Sequence, residues 1–473
     1  MSNKKVIVIG AGPAGLAAAY QLMKNNVKVE VFEASPFVGG MSRSFDLWDQ
    51  RVDLGPHRFF SKDHRINVFF DELIKEDFTQ VQRLTRIFYN KNFFDYPLKI
   101  FNVLGNLSLV TITGILYYYA KQRVFPIKNP DTFEKWVTNR FGKKLYTIFF
   151  KYYTEKLWGI PCSKIDADWA AQRIKGLSLF EAVWSAFKGN RGNKHKTLVD
   201  EFSYPKNGTG TLYERAAEYV IEKGGIIHKN TPIQNIVIED GVCTGVITKD
   251  GTQYSADHVI SSMPLTYLLQ GMNDVPEEVL KSVNRLYFRN TILVYLEIDR
   301  KDLFEDNWIY VHSPEVKHGR ITNFRNWCPS LNRGKETTIL CLEFWAFDSD
   351  PIWKETDQYL GDLAIKELKA LKLIKETEVV ENTKIVRVPK CYPVYEIGYR
   401  SHLDIIENYL MGINKLTPIG RYGAFKYNNQ DHSILMGILA AENIVNNADV
   451  DLWKINTDTQ YQEDGEVKDV LIQ

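Results

Sequence analysis

The first forty residues constrain this chain more than any other stretch. Residues 6–9 (Val-Ile-Val-Ile) form a short apolar run that reads as a buried strand. It leads into Gly10-Ala11-Gly12-Pro13-Ala14-Gly15, a G-x-G-x-x-G turn. A small-residue helix is expected over residues 16–22 and a second strand over residues 27–32. Glu33 closes that strand, eighteen residues after Gly15. In such a unit the first glycine permits the tight turn, the second lets backbone approach a pyrophosphate, and the third lets helix and strand pack closely. The helix N-terminus, opened by Pro13 and Ala14, offers N–H groups and a positive dipole end to the phosphates. Glu33 is placed to accept hydrogen bonds from a ribose diol. Strand, turn, helix and acid occur in the required order, which separates this from a chance glycine pattern.

The bulk properties narrow the class. A chain of 473 residues has room for two or three domains' worth of core. Hydrophobic content of 44% and charged content of 25% are those of a globular protein. The net charge of +1 argues against nucleic acid as the main partner. Cys162, Cys243, Cys328, Cys341 and Cys391 are scattered without a C-x-x-C, so neither a disulfide framework nor a metal site is indicated, and a reducing cytoplasm fits best. Lys4-Lys5 before an apolar stretch imitates a secretory signal, but that stretch is the strand and helix just described. Residues 101–120 carry no charge, close to the length that spans a bilayer. Asn102, Asn106, Ser108, Thr111, Thr113 and two glycines interrupt them. They read as a buried or interfacial helix pair with no integral span, and a peripheral membrane contact stays open.

A second glycine cluster, Gly39-Gly40-Met41-Ser42-Arg43, follows the ribose acid. Read alone it is an ordinary loop. In this position it resembles the flavoprotein superfamily of amine oxidases, protoporphyrinogen oxidases, carotenoid desaturases and UDP-galactopyranose mutases, and the resemblance implies FAD. Gly55-Pro56-His57 resembles the bacterial mutases and implies that His57 lies beside the flavin ring. Residues 89–99, around Tyr96-Pro97, read either as an aromatic core strand or, by their resemblance to eukaryotic mutases, as a base platform in which Tyr96 and Lys99 would contact the nucleotide base. Leu98 and Lys99 depart from that pattern and leave the base open among uracil, thymine and guanine. Trp158-Gly159-Ile160-Pro161, with Arg173 twelve residues on, resembles the mutase pattern in which the arginine binds substrate diphosphate. A guanidinium suits that task because its planar donors grip phosphate oxygens in pairs. Taken alone, Arg173 reads as a solvated helix residue.

Residues 188–196 form a basic, polar connection. Residues 204–262 resemble the second part of the FAD domain, with Ile233 where backbone meets adenine. Residues 291–298, 308–311, 320–324 and 338–345 read as strands of an antiparallel sheet. Within them Tyr310 and Arg320 match eukaryotic-type mutase residues that contact the diphosphate. The densest match is Tyr392 together with Gly420-Arg421-Tyr422-Gly423 and Tyr427 to Ser433. Tyr392 and Tyr427 would meet substrate, and Arg421 the flavin or the diphosphate. Gly420, Asn429, Gln430, Asp431 and Ser433 would bind the cofactor, with Asp431 and Ser433 capping a helix over residues 434–445.

The resemblance implies an α/β fold, a Rossmann-type, glutathione-reductase-like FAD-binding domain with an inserted helical segment and an antiparallel-sheet substrate domain. The expected division is residues 1–85, 201–275 and 389–450 for the FAD domain, 86–200 for the helical insertion, 276–388 for the sheet, and 451–473 as a polar tail. The implied activity is interconversion of pyranose and furanose forms of a nucleotide-diphosphate sugar, for cell-surface polysaccharide synthesis. Reduced FAD N5 is the nucleophile, with no net redox and an external reductant such as NAD(P)H. His57, Arg173 and Arg320 would be catalytic. A homo-oligomer stays open. The alternative is an FAD-dependent oxidase or desaturase. A third reading, a binding protein of the same fold as in Rab GDP-dissociation inhibitors, is disfavoured by the intact glycine motif and Glu33.

Overall fold

The apolar run at the start of the chain becomes Lys5–Ile9, the middle strand of a five-stranded parallel sheet. Across the sheet the strands are Leu416–Pro418, His258–Ser261, Lys5–Ile9, Lys28–Phe32 and Ile226–His228. Val6, Ile7 and Val8 are fully buried, as expected of a parallel strand covered on both faces. The computed structural model describes residues 4–96, 98, 100–169 and 201–456. The chain divides into two units, one of Met1–Gln80, Ser203–Tyr287 and Gly398–Gln473, the other of Val81–Phe202 and Phe288–Ile397.

In the first unit the helix after the glycine turn runs Pro13–Lys24, three residues longer at its start than the sequence pattern suggested. Pro13 fits there because its fixed φ suits the first helical position and its missing N–H is not needed. The helix Gln430–Asn446 packs against it through small residues. A Cβ at Gly437 would stand 2.2 Å from the Ala14 carbonyl oxygen, so only glycine allows this approach. The helix starts earlier than expected, and its cap is Asn429, which forms a reciprocal capping box with His432. Asp431 and Ser433, expected as caps, lie inside the first turn.

A buried polar knot closes the hairpin Ser44–Leu47 and Gln50–Asp53 onto the start of the helix Gly210–Glu222. Asp53 is fully buried and accepts from the Ser44 hydroxyl, from Tyr204 at 2.7 Å and from the Thr209 N–H at 3.2 Å.

The second unit is built on a seven-stranded sheet ordered Val380–Pro393, Phe288–Ile298, Thr338–Ala346, Arg320–Asn323, Trp308–Val311, Thr85–Tyr89 and Asn92–Asp95. It is antiparallel except that Trp308–Val311 pairs in parallel with Thr85–Tyr89, so the purely antiparallel expectation needs that correction. The parallel neighbour comes from a distant part of the chain, which local alternation does not reveal. One face is apolar: Ile292, Val294, Leu296, Ile309, Ile321, Leu340 and Leu342 pack with Leu360, Ala364 and Leu368 of the helix Asp357–Ala370. By the two-residue alternation of strands, the other face carries Arg289, Trp308, Tyr310, Arg320, Glu343 and Trp345.

The apolar stretch near residue 100 is a helix pair, Ile100–Asn106 and Leu109–Val124. Ser108 caps the second helix by accepting from the Thr111 N–H. Among the described residues no helix is long and apolar enough to cross a membrane. All five cysteines are buried and free.

Asp53 gives this fold a pH signature. Burial pushes its carboxyl up from 3.8 to about 7, against the pull of its donors and of Arg51. The folded chain therefore keeps a proton that the unfolded chain releases near its ordinary value, so this stabilisation is complete below about pH 4 and is lost as pH rises through about 7. In urea unfolding, the midpoint of the native chain relative to Asp53→Asn should fall from pH 5 to pH 8. Parallel curves would mean that Asp53 does not titrate in this window.

Candidate functional site

In the parallel-sheet unit the two glycine clusters meet. The Gly39 N–H donates to the Ala11 carbonyl at 2.8 Å. A Cβ on Gly40 (φ +53°) would lie 3.1 Å from Gly12 Cα. Gly10 (φ +94°) leaves no space for a side chain beside Ser262 Oγ, nor Gly420 (φ +79°) beside Ala14. The helix Pro13–Lys24 has Gly12 at its N-cap and no side-chain cap bond. Its first N–H groups are thus offered to a ligand in a cradle that side chains would fill, which fits a dinucleotide pyrophosphate.

Glu33 stands at the edge of this cradle. Its carboxylate accepts from the Ala11 N–H at 2.8 Å and the Ser35 N–H at 2.9 Å. A carboxylate has about four acceptor positions, so ribose hydroxyls can be added to these two. Backbone bonds from Asn230 to Ser35 and from Thr231 to Glu33 bring the approach to Ile233 beside the same acid.

The remaining expected cofactor residues lie in the same unit. Ser42 is buried, and the Arg43 guanidinium lies 4.8 Å from the Phe37 ring centre. Met41 Sδ receives the Tyr422 hydroxyl. Gln430 donates to the Arg58 carbonyl at 2.6 Å and accepts from Tyr213 at 2.7 Å. Burial would raise the Asp431 carboxyl, but the His432 ring beside it holds it below its usual range. Arg421 donates to the Asn428 carbonyl at 2.8 Å and stacks 4.5 Å from the Tyr427 ring centre. His57 Nδ1 lies 3.1 Å from the Gly55 carbonyl, within the turn that the Gly-Pro pair predicted.

In the mixed-sheet unit a second group forms. Tyr310, Arg320 and Glu343 are direct partners across three adjacent strands, so their side chains share one face. Arg320 donates from Nε and Nη2 to the two Glu343 oxygens, both at 2.5 Å. Its Nη2 is 3.5 Å from the Tyr392 hydroxyl. Burial alone would lower the guanidinium pKa; the charge of Glu343 overrides this and holds it well above the usual value. The Tyr96 ring lies 5.2 Å from that of Tyr310. Tyr153 approaches Tyr310 and Trp345 edge-on, 5.5 and 5.7 Å between ring centres. Its helix, Tyr152–Trp158, is pinned by Lys156 Nζ, which donates to the carbonyls of Val311, Ser313 and His318. Behind it Gly159 (φ +69°) gives way to Arg289, bound to Asp350 at 2.6 Å.

The structure thus brings Tyr96, Tyr310, Arg320 and Tyr392 together. Lys99, Arg173 and the 188–196 connection lie outside the described residues. Sequence reading missed Glu343, Tyr153 and Arg289. The alternation Leu340, Leu342, Phe344 against Cys341, Glu343, Trp345 was a usable signal for Glu343, a charge on the face opposite the core. Among the described residues no three His, Cys, Asp or Glu side chains form a metal-binding group.

The family described as flavin containing amine oxidoreductase matches residues 13–444. The chain belongs to this family. Its cofactor is FAD. A 4,4'-diapophytoene desaturase (4,4'-diapolycopene-forming) of Methylomonas is 23% identical over 344 residues, 63% of this chain and 62% of that protein. A probable UDP-galactopyranose mutase of Klebsiella pneumoniae is 27% identical over 174 residues, 35% of this chain and 44% of that one. Each match spans less than two thirds of the relative's own length. The crystal structure of a reduced UDP-galactopyranose mutase shares the fold, with a TM-score of 0.84 over 96% of this chain and 99% of that one at 23% identity.

For this flavoprotein, Glu33→Gln removes the charge that orders the glycine loop and would receive the ribose. A hydrogen bond to a charged group contributes about 1.5–3 kcal/mol, so FAD affinity should fall roughly tenfold to a hundredfold. Titration followed by flavin fluorescence measures this; unchanged affinity would remove Glu33 from the cofactor site.

Proposed function

We propose that this flavoenzyme is a nucleotide-sugar mutase that interconverts pyranose and furanose forms of an NDP-sugar, UDP-galactopyranose being the first substrate to try. The observation that carries the reading is Arg320 paired with Tyr310 on one sheet face and 3.5 Å from the Tyr392 hydroxyl. Expelling a nucleoside diphosphate leaves negative charge on phosphate oxygens. Fixed N–H and O–H donors stabilise that charge without reorganising. Arg320 would donate to the departing diphosphate, and Tyr310 and Tyr392 would add neutral donors. Tyr96 would flank the base, as would Lys99, and Arg173 would be a second cation for the diphosphate. The chemistry that reduced FAD would supply when bound is a nucleophilic nitrogen for this displacement. Gly10 to Gly15, Glu33, Gly39 to Arg43, Ile233, Gly420, Asn429, Gln430, Asp431 and Ser433 would hold that cofactor. His57 would orient its ring, and Arg421 with Tyr427 would lie beside it.

A second reading, an FAD-dependent oxidase or desaturase, draws on a different observation. Glu343 already balances Arg320, and Trp308, Trp345, Tyr153 and Tyr310 make the surrounding face strongly aromatic. Such a face also suits an apolar amine or polyene.

The two readings separate in one assay. FAD-loaded protein, reduced with dithionite without oxygen and mixed with UDP-galactopyranose, should give UDP-galactofuranose on chromatography, and oxidised protein should give none. Oxygen uptake with an apolar amine or polyene, and no reaction with any nucleotide sugar, would replace the mutase reading with the oxidase one. Arg320→Ala should cut turnover by about 10²–10³-fold with FAD content unchanged. Because that change strands the Glu343 charge, Tyr310→Phe and Tyr392→Phe are the gentler companions, each expected to cost roughly tenfold. Full turnover in all three would remove this face from the site.

A further inference from the structure

The helix Leu109–Val124 presents an apolar face to solvent. Leu109, Thr113, Leu116, Tyr117, Ala120 and Val124 fall on one side at the helical repeat. Leu109, Leu116, Tyr117 and Val124 are 53–80% exposed, and Val110 and Phe125 extend the patch. Ile115, on the opposite side, is the buried residue of this helix. A folded chain seldom leaves so continuous an apolar stripe uncovered without a use for it.

Charge decides between occupants. Residues 100–130 contain Lys121, Arg123 and Lys128 and no Asp or Glu. Lys121 and Arg123 stand on opposite borders of the stripe, and Arg123 donates to the Tyr119 hydroxyl one turn back. Apolar stems with cations at the border are the pattern of a helix lying in a lipid headgroup layer. A second copy fits less well. In a two-fold contact the same patch meets itself, which would set these cations against each other with no acid to answer them. The helix has sixteen residues, too few to span a bilayer.

We propose that this helix docks in the plane of an anionic lipid surface, its apolar stripe in the acyl boundary and Lys121 and Arg123 on lipid phosphates. The inference does not depend on which reaction the flavin serves. The test is flotation of the full-length, FAD-loaded chain with phosphatidylcholine vesicles, with and without phosphatidylglycerol. Binding should require phosphatidylglycerol and weaken in high salt. Leu116→Ser with Val124→Ser should reduce it, and Lys121→Glu with Arg123→Glu should reduce it roughly tenfold or more, with flavin absorbance and melting temperature preserved. These positions are at the surface, so folding is not at stake. No vesicle binding by the native chain would overturn the proposal, as would variants that bind like it. A concentration-dependent dimer broken by Leu116→Ser, with vesicles left unbound, would assign the face to a second copy.

Discussion

Gly40, held at φ +53°, lies so close to Gly12 that a Cβ on it would stand 3.1 Å from Gly12 Cα. That single close approach fixes how the first strand–helix unit meets the loop after the second strand. Gly39 seals it with a bond to Ala11, and Glu33 gathers the N–H groups of Ala11 and Ser35 from both sides. Once backbone lies on backbone here, the helix Pro13–Lys24 cannot cap itself with a neighbouring side chain, and its N–H groups stay available. The same helix must accept Gln430–Asn446 at bare-backbone distance through Gly437. The cradle is thus shaped by atoms the sequence leaves out, and a Cβ on Gly40 would push the loop away from Gly12.

The mixed sheet works by division of its two faces. One is an ordinary aliphatic core against Asp357–Ala370. The other holds a bidentate ion pair, Arg320 with Glu343, among aromatic rings. A buried pair of this kind is close to neutral for stability, while losing one partner costs about 3–5 kcal/mol. Packing alone therefore gives no reason to keep it. A cation held rigid on a sheet in this way fits the binding role proposed for Arg320.

Much of this could be read from the chain. The glycine turn, its flanking strand and helix, and Glu33 declare themselves because each depends on residues close in sequence. Trp308–Val311 was legible to the residue, since Trp-Ile-Tyr-Val is a run of aromatic and β-branched residues. What stayed hidden depends on distant partners. Nothing local says that Thr85–Tyr89 pairs with Trp308–Val311, or that Glu343 will face Arg320. The cap at Asn429 was hidden differently: three alternate residues there, Asn429, Asp431 and Ser433, can all cap a helix, and only the reciprocal bond with His432 decides among them.

The geometry of Arg320 bears on how an anion could be received beside Glu343. Its Nε and Nη2 are directed at Glu343, and Nη2 also faces Tyr392. Among the described residues the two donors of Nη1 are not so engaged, and the side chain is 17% exposed. Glu343 thus acts as a brace: it holds the guanidinium plane and leaves one edge of the fork outward. The brace also cancels the unit charge, so any anion arriving there would gain direction from Arg320 more than net attraction. An anion bound at such a face needs further cations or neutral donors. The phenols of Tyr310 and Tyr392, on the same side of the sheet, are neutral groups of the second kind.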